Sequence, residues 1–104
     1  MGRWAQRRIR GGGTNPAATL IEISTAASDD DSIVIATYTG SIDATNFANG
    51  DFTSQPSGAA SVAILQDSPN SLEIDFNPAT ITGDTFIQYS GTTPGVLTPQ
   101  TVLY

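Results

Sequence analysis

At 104 residues, with no cysteine, histidine or lysine, the chain suits one domain with a modest core and excludes disulfides, thiolate metal sites, imidazole bases and Schiff-base amines. Ser, Thr, Gly, Asn and Ala are abundant and β-branched residues dominate the apolar set, the composition of an all-β domain with many turns. The formal net charge of −6 is segregated: the four cations, Arg3, Arg7, Arg8 and Arg10, lie in the first ten residues and all ten carboxylates follow, an acidic body that repels nucleic acid and anionic membranes.

Residues 1–13 read as a basic arm ending in a Gly11-Gly12-Gly13 hinge. Trp4 and Ile9 are its bulky apolar groups, and Arg3, Arg7 and Arg10 share one face if the arm becomes helical. By composition alone it is a solvated tail. Beside an acidic partner it is a docking device, because arginine forks bind carboxylates bidentately and a tryptophan is an effective buried anchor. The candidate partner-binding residues are therefore Arg3, Trp4, Arg7, Arg8, Ile9 and Arg10. No apolar run follows the arginines, as a secretory signal requires. Gln6 stands where a myristoylation motif needs Ser or Thr, and no stretch approaches the ~20 apolar residues of a membrane span. The expected place of synthesis is a cytoplasm, with assembly from there.

Residues 14–104 read as the folded domain, entered at Asn15-Pro16. Thr19–Thr25 reads as a first strand, with Ile21 and Ile23 on one face, and Asp29-Asp30-Asp31 as a turn. The three carboxylates suit a solvated loop better than calcium, since they lack the spacing and terminal Glu of a calcium loop. Ser32–Thr39 is the most continuous apolar run and predicts a central strand covered on both faces. Ile42–Phe47 predicts a turn or short helical turn capped by Asp43, and Asn49-Gly50 a further turn. Asp51–Ser54 and Ser61–Gln66 read as strands separated by the Pro56-Ser57-Gly58 turn.

In Ser71–Phe76, Leu72, Ile74 and Phe76 alternate with Glu73 and Asp75, the period of a half-buried strand. Asn77-Pro78 stops it, and the β-rich run Thr85–Ser90 after Gly83-Asp84 reads as its hairpin partner. Gly91–Pro99 is a loop and Gln100–Tyr104 a closing strand. About seven strands with regular turn signals predict an antiparallel β-sandwich.

Ser32–Thr39, then Ser41-Ile42-Asp43 leading to Phe47 and Phe52, then Gly83-Asp84-Thr85 leading to Tyr89, is an order of motifs that resembles the bacterial Ig-like domains of adhesin and surface-protein repeats. The resemblance covers about residues 19–104 and implies an Ig-like sandwich used for display, spacing or contact, with Phe47 and Phe52 buried. Those modules usually sit in tandem in secreted proteins. A chain starting at Met1 with a basic arm is more similar in architecture to a small virion protein, such as a phage capsid decoration or cement protein.

No residue set calls for catalysis, a cofactor or a metal. Glu73 and Asp75 are the nearest carboxylate pair and sit on a wet strand face, Asp84 caps a turn, and the triple glycine lacks the Lys-Ser/Thr of a phosphate loop. The expectation is a non-enzymatic virion structural protein that docks through its arm on a major capsid protein or other virion subunit, in a symmetric or homo-oligomeric assembly, with neither nucleic acid nor membrane as partner. The alternative is an Ig-like module of a cell surface or extracellular filament, with Gln100–Tyr104 as a donated strand. A third reading is a glycan-binding domain using Tyr38, Tyr89 and Tyr104, although the first two suit the core better.

Overall fold

Strict alternation places Val34, Ala36 and Tyr38 on one face of a strand and Leu72 and Ile74 on the matching face of its neighbour, all of them buried. The computed structural model describes residues 19–104, and these strands are the centre of one layer. The eight strands are β1 (Ile23–Asp30), β2 (Ile33–Tyr38), β3 (Phe52–Gln55), β4 (Ala59–Ala60), β5 (Ala63–Ser68), β6 (Ser71–Asp75), β7 (Phe86–Tyr89) and β8 (Gln100–Leu103). They form two four-stranded antiparallel sheets, ordered β1-β2-β6-β5 and β4-β3-β7-β8. The sheets face each other as a β-sandwich, and this strand order is that of an immunoglobulin-type sandwich with one extra strand beside the third.

Phe52, Ile87 and Tyr89 from the second sheet meet Val34, Leu72 and Ile74 from the first, and Phe76 and Ile81 fill the core from the crossover. Each large side chain buried there contributes about 1.5–3 kcal/mol of transfer free energy. One side of the sandwich is closed by Gln100, whose Oε1 accepts from the Ile23 N–H at 3.1 Å and whose Nε2 donates to the Ile23 carbonyl at 2.8 Å. Above it Ile21 makes an isolated parallel bridge to Val96. On the other side Ser61 is buried where the chain changes sheets, its Oγ accepting from the Gly50 and Phe52 N–H groups at 3.1 and 3.3 Å.

Several expectations need correction. β6 and β7 are not a hairpin: they lie in opposite sheets, β6 pairing with β2 and β5, and β7 with β3 and β8. Residues 76–85 carry the chain across, held to the first sheet through Phe76 and Ile81 and to the second through Thr85, whose N–H donates to Gln55. A period of two marks a half-buried strand but does not say whether the next such strand lies beside it or opposite it.

The first strand begins at Ile23 rather than Thr19 and runs through Asp29 and Asp30, because bulges after Ile23 and Ser28 let it keep pairing with β2. The turn is reduced to Asp31-Ser32. Among the described residues β2 is fully covered on one face only: Val34, Ala36 and Tyr38 are buried, whereas Ile33 and Ile35 are half-buried on the outer surface. Ala59–Ala60 adds a short edge strand, so there are eight strands among the described residues.

Candidate functional site

The connections β2–β3, β5–β6 and β7–β8 gather at one end of the sandwich, where Tyr38 donates its N–H to Asn70 and Thr93 reaches the β2–β3 loop. The β2–β3 loop folds locally around Asp43. Its carboxylate accepts from the Thr45 N–H at 3.0 Å and the Thr45 hydroxyl at 2.7 Å, capping the single 3-10 turn Ala44–Asn46. The Thr45 hydroxyl, then its N–H, hold the Asp43 carboxyl below the usual carboxylate range, so it is charged at neutral pH. Gln66 of β5 braces the same loop, donating to the Ile42 carbonyl at 3.2 Å and accepting from the Ala44 N–H at 2.8 Å.

Beneath the loop Phe47 stacks 6.0 Å from Phe52 and lies 5.9 and 5.8 Å from the rings of Tyr38 and Tyr89. The Tyr89 hydroxyl accepts from the Thr93 N–H at 3.0 Å, and the Thr93 hydroxyl donates to the Asn46 carbonyl at 3.0 Å, tying the β7–β8 loop to the 3-10 turn. Gly91 is obligatory between them: a Cβ there would stand 2.5 Å from an Asp51 oxygen and 2.6 Å from the Tyr89 ring. The buried Tyr38 hydroxyl has no hydrogen-bond partner among the described residues. Burial first, then the nearby Tyr89 and Asp51 groups, push its ionisation far above the ordinary tyrosine range.

Between the two loops opens a cavity of about 280 Å³. Ile21, Ile42, Phe47, Pro94 and Val96 form its apolar wall. Ser41, Asp43, Asn46 and Thr93 supply polar groups. An apolar wall with a few polar groups beside it is the general makeup of a small ligand pocket.

The arm residues Arg3, Trp4, Arg7, Arg8, Ile9 and Arg10 lie outside the described residues. Glu73 and Asp75 project from the outer face of the first sheet, in register with Leu65 and Ala63 on β5 and with Ile35 and Ile33 on β2. Asp30, paired with Ile33, adds a third carboxylate to that surface. The second sheet's outward residues, Thr53, Gln55, Phe86, Gln88, Thr101 and Leu103, are uncharged. No group of three or more His, Cys, Asp or Glu side chains is placed to hold a metal among the described residues.

Asp84 does not cap its own turn. It accepts from the Ser57 N–H at 3.2 Å and from the Ser57 hydroxyl, joining the crossover to the β3–β4 turn. Tyr38 and Tyr89 are core residues, and Tyr104 places its hydroxyl against buried Ser54.

The cavity went unread in the sequence because its lining comes from segments distant along the chain. The two long turn-rich stretches 39–51 and 90–99, both flanked by strands ending in tyrosine, were the available signal. The chain matches no protein-family model, no curated protein and no solved structure.

Proposed function

We propose that this protein is a non-enzymatic assembly module, a virion structural protein of the capsid decoration or cement kind, that docks through residues 1–13. The observation that carries the reading is the division of charge on this scaffold. The described body, residues 19–104, holds all ten carboxylates and no Lys or Arg, while the arm holds all four cations. One outer sheet face is acidic around an apolar stripe of Ile33, Ile35 and Leu65, and the other is neutral. A basic arm on such a body favours neighbours carrying acidic surfaces, including sister copies. Exposed ion pairs contribute only ~0–1 kcal/mol each, so the arginines set register while Trp4 and Ile9 supply most of the affinity. Repetition on a symmetric shell then multiplies weak single contacts.

The test is deletion of residues 1–13 followed by measurement of occupancy on particles. Occupancy should collapse. Normal occupancy without the arm refutes the reading.

One feature favours an Ig-like module of a cell-surface filament as the rival. β8 is an edge strand, and Leu103 on it is 74 % exposed. Such an edge suits strand-to-strand contact between copies. Recovery of the protein from washed cell envelopes rather than virions would favour that rival.

A further inference from the structure

The cavity between the β2–β3 and β7–β8 loops has no occupant in the reading above. We propose that it is the seat of the chain's own N-terminal arm, with Trp4 as the occupant and the adjacent Arg3 on Asp43. The proposal rests on reading the arm as a docking segment and names the surface it rests on before assembly.

Size is the first argument. About 280 Å³ lies just below the range of sites for drug-sized ligands and suits one large aromatic side chain. Chemistry is the second. Ile21, Ile42 and Val96 offer an apolar wall for an indole. Asp43 at the mouth is fully charged, and its carboxylate faces solvent beyond the Thr45 contacts. A tryptophan next to an arginine matches both features at once. A sugar matches them less well, since Phe47, the aromatic of the lining, is only 9 % exposed and offers no open ring face for stacking.

Position is the third argument. The described chain starts at Thr19 and reaches the cavity within two residues, because Ile21 is itself part of the wall. Residues 5–18, with the triple glycine among them, connect Trp4 to that point. At coil dimensions these residues span on the order of 20 Å, enough to turn back on the site. Tethering on this scale gives an effective concentration on the order of 1 mM, so in micromolar solution the chain's own arm outcompetes a neighbour's.

Trp4 is the only tryptophan, so the intact protein reports on its own arm. Its emission and acrylamide quenching are measured in the full-length chain, with the urea-unfolded chain as the exposed reference. The expected result is blue-shifted emission and quenching several-fold weaker than in the reference, both unchanged on dilution. Ser41→Phe, which blocks the mouth, and Asp43→Asn, which keeps the cap but removes the charge, should each return Trp4 toward the exposed values. Ser41 and Asp43 are exposed, and far-UV circular dichroism confirms that the variants stay folded.

Trp4 as quenchable in the native protein as in the reference overturns the proposal. So does shielding that neither variant changes, or shielding that fades on dilution, which assigns the seat to a second copy. The arm deletion on particles is a separate readout. Exposed Trp4 with arm-dependent docking sinks the seat alone, and shielded Trp4 with arm-independent docking sinks the docking reading alone.

Discussion

Two tyrosines in one aromatic cluster should respond to the same substitution with opposite signs. Tyr38 and Tyr89 are both fully enclosed, 2 % and 0 % exposed, and both pack on Phe47. The Tyr38 hydroxyl is buried without a partner among the described residues. A buried hydroxyl that has lost its water and gained nothing costs about 1–3 kcal/mol. Tyr38→Phe removes the hydroxyl and keeps the ring, so it should stabilise the fold by about 1 kcal/mol once the small void it leaves is counted. For a domain of this size that raises Tm by about 4–8 °C.

The Tyr89 hydroxyl, by contrast, accepts from the Thr93 N–H, and Thr93 is 7 % exposed. Tyr89→Phe orphans that donor and should destabilise by about 1–3 kcal/mol. Calorimetric melting and urea titration of both variants check the pair. The urea slopes should match wild type, since neither change alters the surface exposed on unfolding. A Tyr38→Phe variant that melts at least as low as Tyr89→Phe would show that the Tyr38 hydroxyl is satisfied, and the reasoning about this end of the core would fail.

Gly91→Ala should destabilise by about 1–3 kcal/mol, because its methyl overlaps Asp51 and the Tyr89 ring; urea unfolding reads the loss. Ser54→Ala should cost about 0.5–1.5 kcal/mol in the same assay through the lost contact with Tyr104, whose own ionisation is raised, by burial first, then lowered in part by Ser54 and raised again by the Asp84 charge. The Asp84 carboxyl is pushed up by desolvation, but the nearby Ser54 side chain and the bonds from the Ser57 hydroxyl and N–H outweigh this and leave it below its ordinary value. A depressed carboxylate stabilises the fold above its unfolded pKa, and that contribution fades as pH falls through the folded pKa. Melts of Ser57→Ala from neutral to strongly acid pH should therefore lose less stability on acidification than wild type. Leu103→Thr on the exposed edge strand should change stability by no more than about 0.5 kcal/mol and lower any self-association seen by sedimentation.

Alternation in Ser71–Asp75, the turn at Asn49-Gly50 and the capping by Asp43 were legible locally because each depends on neighbours within a few residues. Gly50, at φ +87°, is the left-handed position that the Asn-Gly pair announces. Phe47 and Phe52, placed in the core by resemblance, are there. The extent of the first strand was not legible, since three consecutive aspartates signal a turn and only the partner β2 shows that bulges carry the ladder past Asp29 and Asp30. Nor was the half-burial of Ile33 and Ile35, whose outer face carries no further layer among the described residues.

Composition and period alone determined an all-β chain with a cationic beginning and an acidic remainder, because residue type sets charge, strand preference and turn chemistry without reference to distant contacts. Only the tertiary structure decided which strands share a sheet. It sent β6 and β7 to opposite layers and hooked the Gln100 amide onto Ile23. It also brought Ile21, Ile42, Asp43 and Val96 around one cavity. Those outcomes depend on contacts between residues far apart in the chain, where a periodic pattern carries no information about which partner lies across the gap.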